Sequence, residues 1–145
     1  MLIERVVEVT PELLEALNRL IPLLTDNNPP PGTDYLASVL KSDLSVLLTA
    51  RVPAARGRIV GAGCLATYRA PTGIRAVIED LVVDQDSRGL GVGEALMKHL
   101  MEVARQRGAR GVSLTSNPRR QAANRLYVRM GFVLRRTNCY YHEFR

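Results

Sequence analysis

Three glycines at alternate positions, Gly89, Gly91 and Gly93, separate a run of β-type residues from an apolar stripe at helical spacing. The stretch from Ile78 to Leu96 reads I-E-D-L-V-V-D-Q-D-S-R-G-L-G-V-G-E-A-L. Such a chain has to pass from strand to helix through a tight loop whose backbone N–H groups no side chain covers. N–H groups at the start of a helix form a site for a phosphate-bearing ligand. The strand–loop–helix unit therefore points to an α/β protein and to a polyanionic ligand at the loop.

The 145 residues are enough for one domain with a substantial core, so a single domain over 1–145 is expected. Glu4, Arg5, Glu8, Glu12 and Glu15 interrupt every early apolar run. Neither a signal peptide nor a membrane span is expected, which makes the cytoplasm the expected compartment. Cys64 and Cys139 lie far apart, which argues against a disulfide framework. Cys64 sits in a strand-like apolar run and reads as a small buried hydrophobe. The cysteines with His99 and His142 are too scattered for a metal site, so no metal is expected. The net charge of +6 raises nucleic acid as a partner. Its basic residues are dispersed, however, apart from Arg119-Arg120 and Arg135-Arg136, and aromatics at 5% offer little stacking surface. Nucleic acid is the minor reading, and a small polyanion accounts for the charge at least as well.

Along the chain, Leu2 to Val9 reads as a strand, and Thr10-Pro11-Glu12 as a capped helix start. Leu13, Leu14, Leu17, Leu20, Ile21 and Leu24 keep helical spacing until Asn27-Asn28-Pro29-Pro30-Pro31-Gly32 breaks the helix. A short helix follows from Thr33 to Leu40. Leu44 to Val52 and Arg58 to Tyr68 read as a hairpin about a turn at Pro53 to Gly57, with a third strand from Ile74 to Val83. Val92, Leu96, Leu100 and Val103 mark a helix ending near Gly108. Gly111 to Thr115 reads as a strand. Asn117-Pro118 opens a helix with Ala122, Ala123, Leu126 and Met130 inward, stopped at Gly131. Phe132 to Arg135 and Asn138 to Phe144 read as closing strands. This order predicts one mixed sheet with helices on both faces.

Common nucleotide loops do not fit. A dinucleotide-binding G-x-G-x-x-G counted from Gly89 needs glycine at 94, where Glu94 stands, and counted from Gly91 it meets Leu96. No Gly-Lys-Ser/Thr follows for a Walker A loop, and the companion motifs of a kinase are missing.

Arg88-x-x-Gly91-x-Gly93 resembles the acyl-CoA signature R/Q-x-x-G-x-G/A of the GCN5-related N-acetyltransferases, the GNAT family. The element order resembles that fold from Leu2 to Phe144. Asn124-Arg125-Leu126-Tyr127-Val128-Arg129-Met130-Gly131-Phe132 is similar to the family's N-x-x-(F/L)-Y-x-x-x-G-F, and Ile78-Glu79-Asp80-Leu81-Val82-Val83 to its acidic fourth strand. The resemblance implies an α/β (α+β) fold with a mixed, mostly antiparallel sheet whose fourth and fifth strands splay. It implies acetyl-CoA as co-substrate. The pyrophosphate would lie on the N–H groups of Gly89, Leu90, Gly91, Val92 and Gly93, with Arg88 adding charge. Pantetheine would run along Leu81, Val82 and Val83 like an added strand, and a backbone N–H there would polarise the thioester.

The same resemblance places Asn124 and Tyr127, three apart on one helix, beside pantetheine and sulfur. Tyr127 would then protonate the leaving thiolate as general acid, the alternative being a core tyrosine. Alternation puts Glu79 on one strand face with Val77, Leu81 and Val83, and Asp80 on the other. An acid among apolar neighbours has a raised pKa, which suits a base for an ammonium. Glu79 acts directly or through a water, Asp80 is the other candidate, and the alternative is a structural acid. The Glu-Asp pair also resembles that of the glucosamine-6-phosphate N-acetyltransferases of the superfamily. A charge-opposed Arg119-Arg120 pair at a helix start hints at an anionic neighbour. The expected activity is direct acetyl transfer to a primary amine of a small molecule, peptide or protein. A non-catalytic acyl-CoA-binding regulatory domain is the alternative, and it would need neither Tyr127 nor Glu79. Sheet edges leave a homodimer open.

Overall fold

Thr10 sets where the first helix begins. In the computed structural model, which describes residues 1–54 and 56–145, its Oγ1 accepts the Leu13 N–H at 3.1 Å, and Pro11 starts the helix. Helix α1 (Pro11–Leu24) buries Leu13, Ala16, Leu17 and Leu20, and α2 (Thr33–Lys41) buries Leu36. Four strands, β1 (Leu2–Arg5), β2 (Ser45–Val52), β3 (Arg58–Ala70) and β4 (Gly73–Val83), pair antiparallel in the order β1-β2-β3-β4. The turn expected over Pro53 to Gly57 includes Ala55, which lies outside the described residues. Helix α3 (Val92–Gln106) follows the glycine loop, and α4 (Gln121–Arg129) comes last.

Contacts divide the chain into two units, residues 1–115 and 116–145. In the first, the sheet is covered on both faces. Leu13, Leu17, Leu20 and Leu36 from α1 and α2 form one buried cluster with Leu47, Ile59, Ala62 and Val82 of the sheet. Helix α3 lies on the opposite face and buries Val92, Leu96, Met97, Leu100 and Ala104. It approaches β3 closely because glycines stand beneath it. A Cβ on Gly61 would sit 3.0 Å from Val92 Cγ1 and 3.1 Å from Leu96 Cδ1, and one on Gly63 would sit 3.0 Å from Leu100 Cδ1. Arg51 of β2 joins the layers by pairing with Glu12 of α1 and Glu4 of β1.

Three expected strands are corrected. Gly111 to Thr115 forms only an isolated parallel bridge, Val77 with Ser113. Residues 132–135 and 138–144, in the second unit, belong to no strand. Their Val133, Leu134, Tyr140, Tyr141 and Phe144 are exposed. β-type side chains fit a pleated, half-buried surface, and without a paired neighbour that surface does not exist. On α4, Ala122 is exposed rather than inward, while Tyr127 is buried. Among the described residues no helix is long and apolar enough to cross a membrane.

Leu20 is fully buried and Val7 is 77% exposed. Leu20→Ala is expected to lower the unfolding free energy by about 2–5 kcal/mol, while Val7→Ala stays within about 0.5 kcal/mol. Urea denaturation measures both.

Candidate functional site

Strand β4 forms the edge of the sheet, and its ladder with β3 breaks once. Glu79 stands opposite Cys64 and Val82 opposite Ala62, so Asp80 and Leu81 share the single partner position of Gly63. This is a β-bulge. Asp80 takes up the extra residue with φ at +53°, in the left-handed region that a short polar side chain tolerates best. The bulge flips the faces beyond it. Glu79 lies with Cys64 on the α1 side, and Val82 joins Ala62 in the α1 cluster. Leu81 passes to the α3 side, its Cδ1 3.1 Å from where a Cβ on Gly63 would be. Val83 pairs with Gly61, beneath Val92. Strict alternation, which put Leu81 and Val83 on the face of Glu79, is therefore corrected at Asp80.

Glu79 is solvent-accessible, yet its pKa is raised, first by partial burial and then by the charge of Asp80. Across the ladder, burial first, then Asp80 and Glu79, push the Cys64 thiol up to about 11. It stays a neutral thiol at physiological pH and does not supply a thiolate nucleophile.

On its outer side β4 makes an isolated parallel bridge with Ser113. The Ile78 N–H donates to Ser113 O at 2.9 Å, and the Ser113 N–H donates to Ala76 O at 3.0 Å. Among the described residues no strand pairs with this edge after Ile78.

Asp84 ends the strand. Its N–H donates to Val60 O at 2.8 Å and its carbonyl accepts the Ser87 N–H at 3.0 Å, closing a 3₁₀ turn over Gln85–Ser87. Its buried carboxylate pairs with Arg19 Nε of α1 at 3.0 Å and with an Arg58 terminal nitrogen at 3.2 Å.

The loop then runs over Arg88 and Leu90, both exposed, through Gly89 (φ +78°) and Gly91 (φ +76°). A Cβ at either glycine would meet nothing within 4 Å, so conformation rather than space demands glycine. Gly93 lies in the first turn of α3, and Gly91 precedes that helix with no side-chain cap. The first helical bond is Ala95 N–H to Gly91 O at 3.0 Å. Val92 and Gly93 precede it, so their N–H groups have no helical acceptor. With the α3 dipole behind them, these groups fit an extended anionic ligand.

In the second unit, Asn124 and Tyr127 share α4. Asn124 Nδ2 donates to the carbonyls of Asn117 and Arg120, both at 3.0 Å, and so braces the turn that starts the helix. Tyr127 is 6% exposed, its ring 6.0 Å from that of Phe132. Burial raises its hydroxyl pKa, and the nearby charge of Arg120 works in the opposite direction. His99 and His142 are exposed.

The first unit thus gathers Glu79, Leu81, Val82, Val83 and the loop from Arg88 to Gly93 into one continuous stretch. Sequence reasoning missed the roles of Asp80 and Asp84. The Glu-Asp doublet inside a β run was a signal for the bulge, because Asp is among the few side chains at ease with positive φ. Asp84 offered none, since Arg19 lies 65 residues away in sequence.

Two outcomes follow from this geometry. Burial favours the neutral Glu79 carboxyl, so the folded state keeps a proton that the unfolded chain releases near 4.5. Stability is therefore lost as pH rises from that value through the higher folded pKa. Glu79→Gln removes the loss. Its Tm should exceed that of the wild type at neutral pH, with the difference vanishing below the ordinary carboxylate range. Asp80→Val, which puts a β-branched residue at φ +53°, should destabilise by about 1–3 kcal/mol, whereas Asp80→Asn stays near wild type in the same denaturation assay.

A profile of the acetyltransferase (GNAT) family matches residues 14–132. The "Probable glucosamine 6-phosphate N-acetyltransferase 2" of Oryza sativa subsp. japonica is 37% identical over 95 residues, which cover 63% of this chain and 55% of that one. The glucosamine 6-phosphate N-acetyltransferase of Trypanosoma brucei brucei is 42% identical over 79 residues, 52% of each chain. The chain spans about half the length of these relatives. A crystal structure of a Trypanosoma brucei acetyltransferase matches with a TM-score of 0.75 at 27% identity, over 97% of this chain and 99% of that one. With a profile match over most of its length, and a strand edge running into an uncapped helix, the chain belongs to the GNAT acetyltransferase family.

Proposed function

We propose that this chain is an acetyl-CoA-dependent N-acetyltransferase, one domain over residues 1–145, that transfers acetyl directly to a primary amine. The observation that carries the reading is one continuous stretch. The outer edge of β4, with which no strand among the described residues pairs after Ile78, runs into an uncapped helix start entered through Gly89 and Gly91. Pantetheine is a chain of amides and suits the first feature, at Leu81, Val82 and Val83. A pyrophosphate suits the second, on the loop from Arg88 to Gly93. Asn124, whose Nδ2 braces its own helix start, is assigned to the pantetheine side.

The chemistry needs no protein nucleophile. The ammonium of the acceptor gives a proton to Glu79, directly or through a water, with Asp80 as the other candidate. The raised pKa of Glu79 makes it the stronger base of an ordinary carboxylate's kind. The free amine lone pair forms a bond to the thioester carbonyl carbon. As the tetrahedral adduct collapses, the C–S bond breaks and its electron pair leaves on sulfur. Tyr127, whose raised pKa keeps the phenol protonated, donates its proton to that thiolate, and the second proton released by the new amide nitrogen returns to the phenolate through water. Matches to two proteins named for glucosamine 6-phosphate, together with the Glu79-Asp80 pair, make phosphorylated amino sugars the first acceptors to assay. The proposed compartment is the cytoplasm. A homodimer is a further proposal, read by sedimentation. No observation favours the non-catalytic reading.

Tyr127→Phe is expected to reduce turnover by about 10²–10⁴-fold while CoA affinity stays near wild type. A thioester-release assay over a panel of amines measures the first and calorimetry the second. Unchanged turnover removes Tyr127 from the mechanism. Glu79→Gln should lose the limb of the pH–rate profile that rises with deprotonation of the base. A profile superimposable on the wild type's rules Glu79 out.

A further inference from the structure

The loop from Gln85 to Gly91 is fixed at both ends by the residues that flank it, Asp84 and Val92. At its end, Val92 packs over the bare backbone of Gly61. At its start, every polar group of Asp84 is engaged. The N–H extends the ladder to Val60, the carbonyl closes the turn to Ser87, and the carboxylate holds Arg19 and Arg58. Arg19 also donates through a terminal nitrogen to the carbonyl of Ile59, so one guanidinium bridges a strand backbone and the last residue before the loop. Only a planar fork with several donors makes that bridge. Asp84 is 7% exposed while the Arg19 side chain is 32% exposed, so the carboxylate is shielded and the guanidinium is partly open to solvent.

We propose that Asp84 and Arg19 are positioning residues for CoA, holding the phosphate-binding loop in its binding conformation before the ligand arrives. The proposal rests on the reading of this loop as the pyrophosphate site. Preorganisation removes the ordering cost that a loose loop would charge against binding. A competing account has the opposite sign. If Asp84 merely neutralised two guanidinium groups, removing its charge would leave extra positive potential beside an anionic ligand, and CoA would bind more tightly.

The test is titration calorimetry of the full chain with CoA, which needs no knowledge of the acceptor. Asp84→Asn should weaken CoA about tenfold, and Arg19→Lys, which keeps the charge but not the fork, about threefold. Glu12→Gln breaks the ion pair with Arg51 at the first turn of the same helix and should leave CoA affinity unchanged. Once an acceptor is in hand, KM for acetyl-CoA should rise in the two clamp variants while kcat stays within about twofold of wild type. Tighter or unchanged CoA binding in Asp84→Asn and Arg19→Lys overturns the clamp alone. Equal weakening in Glu12→Gln overturns it too, because loss of stability would then explain everything. If Asp84→Asn does not fold, Arg19→Lys decides. A wild-type chain that binds no CoA overturns the reading of the loop, and the clamp's role with it.

Discussion

The left-handed backbone at Asp80 is the constraint on which the candidate site depends. A strand is a two-faced object with period two, and one inserted residue exchanges the faces from that point on. Before the bulge, Glu79 faces the α1 side. After it, Val82 serves the same side while Leu81 and Val83 go to the α3 side. Without the insertion, either Glu79 would turn into the layer beneath α3 or the apolar residues beyond it would lose their core. The bulge lets an ionisable group and a fully apolar strand end coexist within five residues. It also coincides with the point after which no strand among the described residues pairs with the outer side of β4.

Proton binding is strengthened at Glu79 and Cys64 beside the bulge in the first unit and, separately, at Tyr127 in the second. Partial burial and a neighbouring carboxylate make Glu79 hold a proton more strongly than a free glutamate, and burial does the same for Tyr127. The same burial, with both acids nearby, keeps Cys64 neutral. The loop beyond supplies the opposite field, from N–H groups and a helix dipole. Acidic side chains and uncapped N–H groups thus occupy adjacent parts of one stretch, with Asp84 neutralised by two arginines at the boundary between them.

What was legible in the sequence was local. Thr10 and Pro11 announce α1, alternate glycines announce the loop, and the spacing of Val92, Leu96 and Leu100 announces α3, because caps, turns and helical faces involve residues a few positions apart. The bulge escaped because alternation carries no mark of a slipped register unless positive φ is suspected at Asp80. The Arg19–Asp84 pair escaped because its partners meet only once the sheet exists. The closing strands failed for a related reason. Val133, Leu134, Tyr140 and Tyr141 have strand-forming side chains, but composition does not reveal whether a neighbour will pair with them. Within β4, the strand was readable; the faces on which Leu81 and Val83 stand were not.

Gly61 and Gly63 bring the helix that carries the loop down onto bare backbone. That closeness has an evolutionary consequence. With no side chain on the strand to trim or rotate, β3 has little means of absorbing a change in the helix above it. An alanine at 61 would press on Val92, Leu96 and the Val82 carbonyl, and one at 63 on Leu81 and Leu100, so a neighbour would have to give by a few tenths of an ångström. These positions are therefore expected to drift as linked pairs, and divergence among descendants of this chain should spare the seam between β3 and α3 long after the outer helix faces have changed.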